Sequence, residues 1–512
     1  MSDMGNDGDA AMMRQPRGQS GWALAVALGM LAISMALASW FFLCRKTTYF
    51  DDAFIYLHMA ANIVEAGTAR YFPITGSSML LSSSPLRLLT LVPGLLALEL
   101  AQVPLRTIEA ARFAFLSSGL VSFLVFLPFW RNRLKAYMWV GVVLFLLGMS
   151  LDAVFLMEGG VLFLSLLSLA KLLAERSSNH FAVGLAVLLV GLSRPEFGAV
   201  AVVVTALVYH SQPRALGRIL QGLAAGAAIY WIVMAALGVW PIPSTIWSKQ
   251  VTGKLRLFSQ ENLIGVLPAQ IAETLGSKQA WVGWLLLILP AAFSLMLRRA
   301  AIPVLIALGL LLAIAFSMPG NFPWYSQNFL LAWLVVMVAV AVELRRQRLD
   351  RAAFAMAGMA LLALALTLMT NLGRNVDRAW NENSPMYLGY QEVGRSSIGD
   401  GKYIIQRYLD EPVRIRMCEI GIVSFYSGHD AWIFDICGLV QIGNLKDASN
   451  SWLSHFYPAS FAESGEDQLA RFKDDAKVRV IDVWSMSGQK DVERAKSKCG
   501  FVDYRLCINR YR

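Results

Sequence analysis

Charge is what this chain has least of. Only 16% of its 512 residues are Asp, Glu, Lys or Arg, while 56% are hydrophobic, and mean hydropathy is +0.52. A soluble domain carries about a quarter charged residues, so an ordinary water-soluble protein is excluded. Histidine is scarce as well. The 5 histidines are scattered, which argues against a zinc centre. There is no G-x-x-x-x-G-K-[ST] phosphate loop, no H-E-x-x-H and no G-x-S-x-G, which removes an ATP-driven pump, a zincin and a hydrolase elbow from consideration. The net charge of +10 comes from basic residues spread over short loops and the C-terminal part. They form no basic stripe with interleaved aromatics, so nucleic acid is not an expected partner.

Long apolar runs are abundant. The first, Trp22 to Cys44, has no small-residue cleavage site and reads as a retained membrane helix. Further runs centre near Ala97, Val121, Val143, Ser165, Val187, Val203, Ile229, Leu287, Leu308, Val335 and Leu364. The basic loops set the orientation: Arg14/Arg17, Arg131/Arg133/Lys135, Arg176, Arg214/Arg218, Arg298/Arg299 and Arg345/Arg346/Arg348/Arg351 belong on the cytoplasmic side. All of them fall there if the run Leu86 to Val103, broken by Pro93, does not cross, which leaves about 11 crossings. If it does cross, parity flips and Arg131 to Lys135 lies outside. With that run incomplete, the outer face collects Arg45 to Pro85, Asp152 to Glu158, Arg194-Pro195-Glu196, Trp240 to Lys278 and Met318 to Gln327.

The expected fold is thus a polytopic α-helical membrane protein followed by a soluble α/β domain. Residues 1–21 form a cytoplasmic tail, 22–371 the membrane domain with its first outer loop at 45–85, and 372–512 the soluble domain, placed in the periplasm by the crossing count. In that domain a helix over Gly394 to Tyr408 and strand-like runs at Val413 to Met417, Trp432 to Asp435, Val478 to Val483 and Tyr504 to Ile508 alternate with helical stretches at Gln468 to Asp474 and Asp491 to Lys498. Four of the five cysteines lie here: Cys418, Cys437, Cys499 and Cys507. An even number in an oxidising compartment permits two disulfides, with Cys499 and Cys507 able to clip a C-terminal hairpin; free buried thiols are the alternative.

Two adjacent carboxylates, Asp51 and Asp52, stand just beyond the first membrane helix. Acidic groups at the rim of an apolar bundle are costly unless they meet water, a cation or a substrate, so they mark a candidate site. A helix starting there places Asp51, Ile55, His58, Asn62 and Glu65 on one stripe and Phe54, Leu57, Ala61 and Val64 on another. Such a helix lies on the membrane surface and presents its polar stripe to a cavity. One Asp would serve as a helix cap; the second is spare. On the same side, Lys249 and Arg194 could bind a lipid-linked phosphate. Snorkelling at the interface is the alternative for Lys249, and an ion pair with Glu196 or Glu158 for Arg194.

These residues resemble the GT-C class of membrane glycosyltransferases, and within it the mycobacterial arabinofuranosyltransferases that use polyprenyl-phosphate sugar donors. The likeness rests on Asp51-Asp52-Ala53-Phe54-Ile55, Ser84-Pro85-Leu86, Met157-Glu158-Gly159, Arg194-Pro195-Glu196, the stretch ending at Lys249, and Ile420-Gly421 with Asp435-Ile436-Cys437-Gly438-Leu439. Order and spacing agree along nearly the whole chain. Two departures fall in the first outer loop: Gly76 to Ser83 replaces a glutamate-glycine-tyrosine type of segment, and His58 stands where an arginine is frequent.

The resemblance implies a glycosyltransferase of the bacterial inner membrane with its active site in the periplasm. Asp51 or Asp52 would be the general base, with Asp51 favoured because it shares a stripe with His58. Tyr56, His58, Glu158, Arg194, Glu196 and Lys249 would shape the donor and acceptor pocket. The donor would be a polyprenyl-phosphate sugar, most readily D-arabinofuranose, and the acceptor an envelope glycan or a protein such as a pilin. A monophosphate donor needs less charge neutralisation than a pyrophosphate, so neither a metal nor another cofactor is expected, although paired carboxylates can bind Mg²⁺ or Mn²⁺. A transporter or flippase for a lipid-linked sugar, and an inactive glycan-binding scaffold, are the competing classes; no internal repeat supports the transporter.

Overall fold

The computed structural model describes residues 19–44, 51–71, 79–251, 267–275, 279–294, 323–380, 413–417, 420–428, 431–435, 457 and 479–482. The apolar run near Leu308, the four C-terminal cysteines, the fourth strand-like run and the other helical stretches of the C-terminal part lie outside these residues. Fifteen helices precede the sheet among the described residues. Five segments are long and apolar enough to cross a membrane: Gly21–Phe42, Ile108–Ser150, Pro213–Ala236, Gln327–Arg346 and Asp350–Leu372. The protein is a polytopic helical membrane protein.

Helix α1 (Gln19–Cys44) is the first span, and α2 (Asp51–Ala66) begins at the acidic pair as the stripe pattern predicts. Next, α3 (Pro85–Leu100) opens on a Ser84 cap that accepts from the Arg87 amide, with Pro85 in the first turn where its missing N–H is harmless. Thr107 caps α4 (Ile108–Phe126) in the same way. A 3₁₀ corner at Leu127–Arg133 joins α4 to α5 (Leu134–Ser150), and a one-turn α6 (Asp152–Phe155) leads to Glu158. The layout then shortens: α7 (Gly159–Ala174), α8 (His180–Ser193) and α9 (Pro195–Tyr209) are 16, 14 and 15 residues. Beyond them run α10 (Pro213–Ala236), α11 (Ser244–Val251), α12 (Leu267–Thr274), α13 (Ala280–Ser294), α14 (Pro323–Arg346) and α15 (Asp350–Trp380).

The α8–α9 pair is a tight hairpin with Arg194 as its connecting residue, serving as C-cap of α8 and N-cap of α9. Gly191 and Gly198 make the tightness possible, since a Cβ added to Gly198 would lie 2.5 Å from the Gly191 Cα. At 1.5 Å per residue these helices reach only about 21 to 23 Å, well short of a hydrocarbon core of about 30 Å. Taken alone, α8 and α9 are therefore too short to cross such a core.

The run Leu86 to Val103 does not reach the basic end. Its start is tied to the tip of the hairpin, where Ser84 Oγ donates to the Leu192 carbonyl. After its end, Arg106 binds Glu65 at the close of α2. From there α4 descends to the corner where Trp130 Nε1 donates to Ser168 Oγ at 2.9 Å and Arg133 pairs with Glu175 at 3.3 Å. Arg131 to Lys135 thus shares an end with the Arg176 loop, opposite Arg194.

Past the bundle, β1 (Val413–Met417), α16 (Gly421–Ser427), β2 (Ala431–Asp435) and β3 (Arg479–Asp482) form a parallel sheet in the order β2-β1-β3, with Met417 opposite Asp435 and Val413 opposite Arg479. These strands coincide with three of the four runs read from the sequence. Helix α16 belongs to the main apolar core: Ile420, Ile422 and Phe425 pack with Phe54 and Phe115, and the Phe54 and Phe425 rings meet edge to face at 5.3 Å.

Candidate active site

The outer loops that topology gathers on one side do meet there. Ser244 N donates to the Leu80 carbonyl at 2.9 Å, joining the first outer loop to the segment that opens α11. Asn328 at the start of α14 donates to Glu158 Oε1 at 2.9 Å, and Arg194 Nε lies 2.8 Å from the same oxygen. Tyr56 donates to Glu158 Oε2 at 3.3 Å and shares a 2.5 Å hydrogen bond with Ser83 Oγ. Arg194 Nη1 reaches Glu196 Oε1 at 3.4 Å. Glu158 and Arg194 are 0% and 2% exposed, a burial that two charges tolerate only when each faces a charge of opposite sign.

Local sequence explains this convergence. Gly159 follows Glu158 because a Cβ there would stand 2.7 Å from Asn328 Oδ1 and 2.8 Å from the Ala153 carbonyl. Beneath, buried Arg87 donates to Ser118 Oγ and the Phe155 carbonyl, locking α3, α4 and the α6 segment that delivers Glu158. Burial, reinforced by the Glu158 charge, pushes the Tyr56 phenol well above the ordinary tyrosine range. Tyr56 therefore stays protonated and acts as a donor.

The acidic pair divides between two faces. Asp52 is half-buried and acts electrostatically on Tyr56, one helical turn further along α2. At 3.6 residues per turn Asp52 lies about 40° from Tyr56 around the helix, whereas Asp51 lies about 140° away and within about 20° of His58. The second half of the His58 stripe, from His58 to Glu65, is engaged by another side chain. Arg106 binds it: Nη1 donates to His58 Nδ1 at 3.0 Å and to the Phe425 carbonyl at 2.9 Å, Nη2 to Asn62 Oδ1 at 2.8 Å, and the Glu65 carboxylate pairs with the same guanidinium. A guanidinium only donates, so His58 Nδ1 accepts and Nε2–H donates to the Tyr71 carbonyl at 2.8 Å. The physical reason is that α16 needs a polar anchor on α2, and the stripe supplies it.

Of the residues singled out from sequence, Asp52, Tyr56, Glu158, Arg194 and Glu196 come together, and His58 stands apart on the opposite face. Asp51 and Lys249 lie on α2 and α11, and their side chains are outside the described set. Arg87, Asn328, Ser83 and Arg106 escaped sequence reasoning. Arg87 left a signal, as a lone charge in the otherwise apolar Pro85 to Pro93 run. Among the described residues, no group of three or more His, Cys, Asp or Glu could hold a metal ion.

No protein-family model matches the chain, and none of the curated proteins does. Among solved structures it is similar to the crystal structure of ArnT from Cupriavidus metallidurans bound to undecaprenyl phosphate, at 14% identity and a TM-score of 0.45, over 94% of this chain and 95% of that one.

Proposed function

We propose that this protein is a GT-C membrane glycosyltransferase that moves a sugar, D-arabinofuranose as the leading candidate, from a polyprenyl-phosphate donor to an envelope glycan or a secreted protein. The observation that carries the reading is the placement of Asp52 on the Tyr56 face of α2, beside the buried Glu158–Arg194 pair. We favour Asp52 as the base over Asp51, which the helical repeat puts on the His58 side of α2. The acceptor hydroxyl loses its proton to Asp52 as its oxygen bonds to the anomeric carbon. The bond from that carbon to the phosphate oxygen breaks, and polyprenyl phosphate departs. Lys249 supplies positive charge to the leaving phosphate. Arg194, buried against Glu158, fixes the pocket wall, and Tyr56 holds its proton throughout.

Transfer of radiolabelled sugar from polyprenyl-phosphate arabinofuranose to envelope acceptors in membranes tests this. Asp52→Asn should lower the rate by about 10²-fold or more, with Asp51→Asn within about tenfold of wild type at equal expression. Full activity in Asp52→Asn removes the base from the mechanism. A hexose donor outcompeting the pentose would redirect the sugar assignment.

A further inference from the structure

A cavity runs between helices toward the α14–α15 turn. It has a volume of about 780 Å³ and is enclosed by α5, α7, α14 and α15. Its walls owe their space to small side chains, Ala136, Ala341, Ala353, Ala357 and Ala360, facing one another across the helices. Trp139 and Phe354 flank it and are 43% and 82% exposed, so it opens toward lipid. Its only charged lining residues, Arg345 and Asp350, stand at the α14–α15 turn. That turn is tight, with Arg348 at φ +61°, and it gathers Arg345, Arg346, Arg348 and Arg351, all exposed, against Glu343 and Asp350. Glu343 is already engaged by Arg346 at 3.7 Å. The opposite, deep end reaches Phe163 and Leu334, about 8 Å along α7 from Glu158 and about 9 Å along α14 from Asn328.

We propose that this groove is a binding site for an anionic glycerophospholipid, with its acyl chains among the alanines and its phosphate at the Arg345 turn. An apolar slot between membrane helices that ends in an excess of arginine has the chemistry of an acidic lipid site. Polarity fixes the direction. A lipid whose phosphate sat at the Arg194 end would place its headgroup where the groove has only apolar walls. The site is independent of the proposed transfer reaction.

Native mass spectrometry of the detergent-purified full chain, titrated with phosphatidylglycerol or phosphatidylcholine, tests the site directly. Wild type should retain one phosphatidylglycerol in preference to phosphatidylcholine. Arg345→Gln should weaken that retention about fivefold, the effect of one cation near an acidic headgroup. Ala357→Phe should abolish it by filling the slot. Should Ala357→Phe fold poorly, brominated phosphatidylglycerol provides a second reading: it should quench wild-type tryptophan fluorescence more than that of Trp139→Phe. Equal retention of the two lipids, unchanged binding in Arg345→Gln, identical quenching in both chains, or displacement of phosphatidylglycerol by stoichiometric undecaprenyl phosphate would each overturn the proposal.

Discussion

At Glu158, three side chains from separate parts of the chain converge on one carboxylate: Tyr56 from α2 and Asn328 from α14 donate hydrogen bonds, and Arg194 from the α8–α9 hairpin makes an ion pair. Removing its charge takes the nearer of two carboxylates from a guanidinium that is 2% exposed, leaving Glu196 at 3.4 Å. Glu158→Gln should therefore destabilise the protein by about 3–5 kcal/mol, read as a lowered thermal midpoint in detergent. The double variant Glu158→Gln/Arg194→Met should recover part of the loss, because the buried guanidinium that lost its nearer carboxylate is gone; a double variant as unstable as the single one would contradict the pairing. Glu175, at the other end, shows the opposite regime. Burial raises its carboxyl, but the hydrogen bond and charge of Lys171, then those of Arg133, outweigh burial and leave it below its ordinary value. A depressed carboxylate contributes stability above the unfolded value of about 4.3 and loses it as pH falls through the folded one. At 35% side-chain exposure the pair with Lys171 is worth at most about 1 kcal/mol. The difference in thermal midpoint between wild type and Glu175→Gln should be small near neutrality and close as pH drops below about 4.

Among the elements, the short helices matter most. An arginine at the tip of a 14- and 15-residue hairpin is 2% exposed, so its ion pair is a requirement of burial as much as of chemistry. The glycine contact behind it sets where the guanidinium sits. Gly198→Ala forces α8 and α9 apart at the 2.5 Å approach to Gly191 and should cost about 1–3 kcal/mol. It should also reduce sugar transfer, because Arg194 and Glu158 move apart. Unchanged stability and transfer would show that the hairpin accommodates the extra methyl. The sequence run Gly191-Leu192-Ser193-Arg194-Pro195-Glu196-Phe197-Gly198 announced a break at the proline. It did not announce that the break would be this tight, since close approach depends on which faces of two helices meet.

On the scale of the whole molecule, the bundle and the C-terminal part are joined through α2. One face of α2 serves the candidate site and the other receives α16 through Arg106, His58, Asn62 and Glu65. A second contact stacks Tyr457 on Trp247 at 4.8 Å, with its phenol donating to the Pro243 carbonyl at 2.7 Å. Arg106→Gln removes the charge that holds four groups, each bond to a charged donor being worth about 1.5–3 kcal/mol. Limited proteolysis of the variant should cut the C-terminal part several-fold faster while the membrane helices stay protected. Equal cutting rates would mean that the Tyr457 contact and the apolar face of α16 hold the two parts together unaided. The sequence by itself determined the membrane class, the start of α2 at Asp51, three strand positions and the grouping of Glu158 with Arg194, because hydropathy, periodicity and basic-loop placement are local or additive properties of the chain. Tertiary structure alone decided that Tyr56 meets Glu158, that His58 is an anchor, and that Arg87 and Asn328 position Glu158. Those outcomes depend on which helix faces are brought together, and that is a property of packing between segments far apart in the chain.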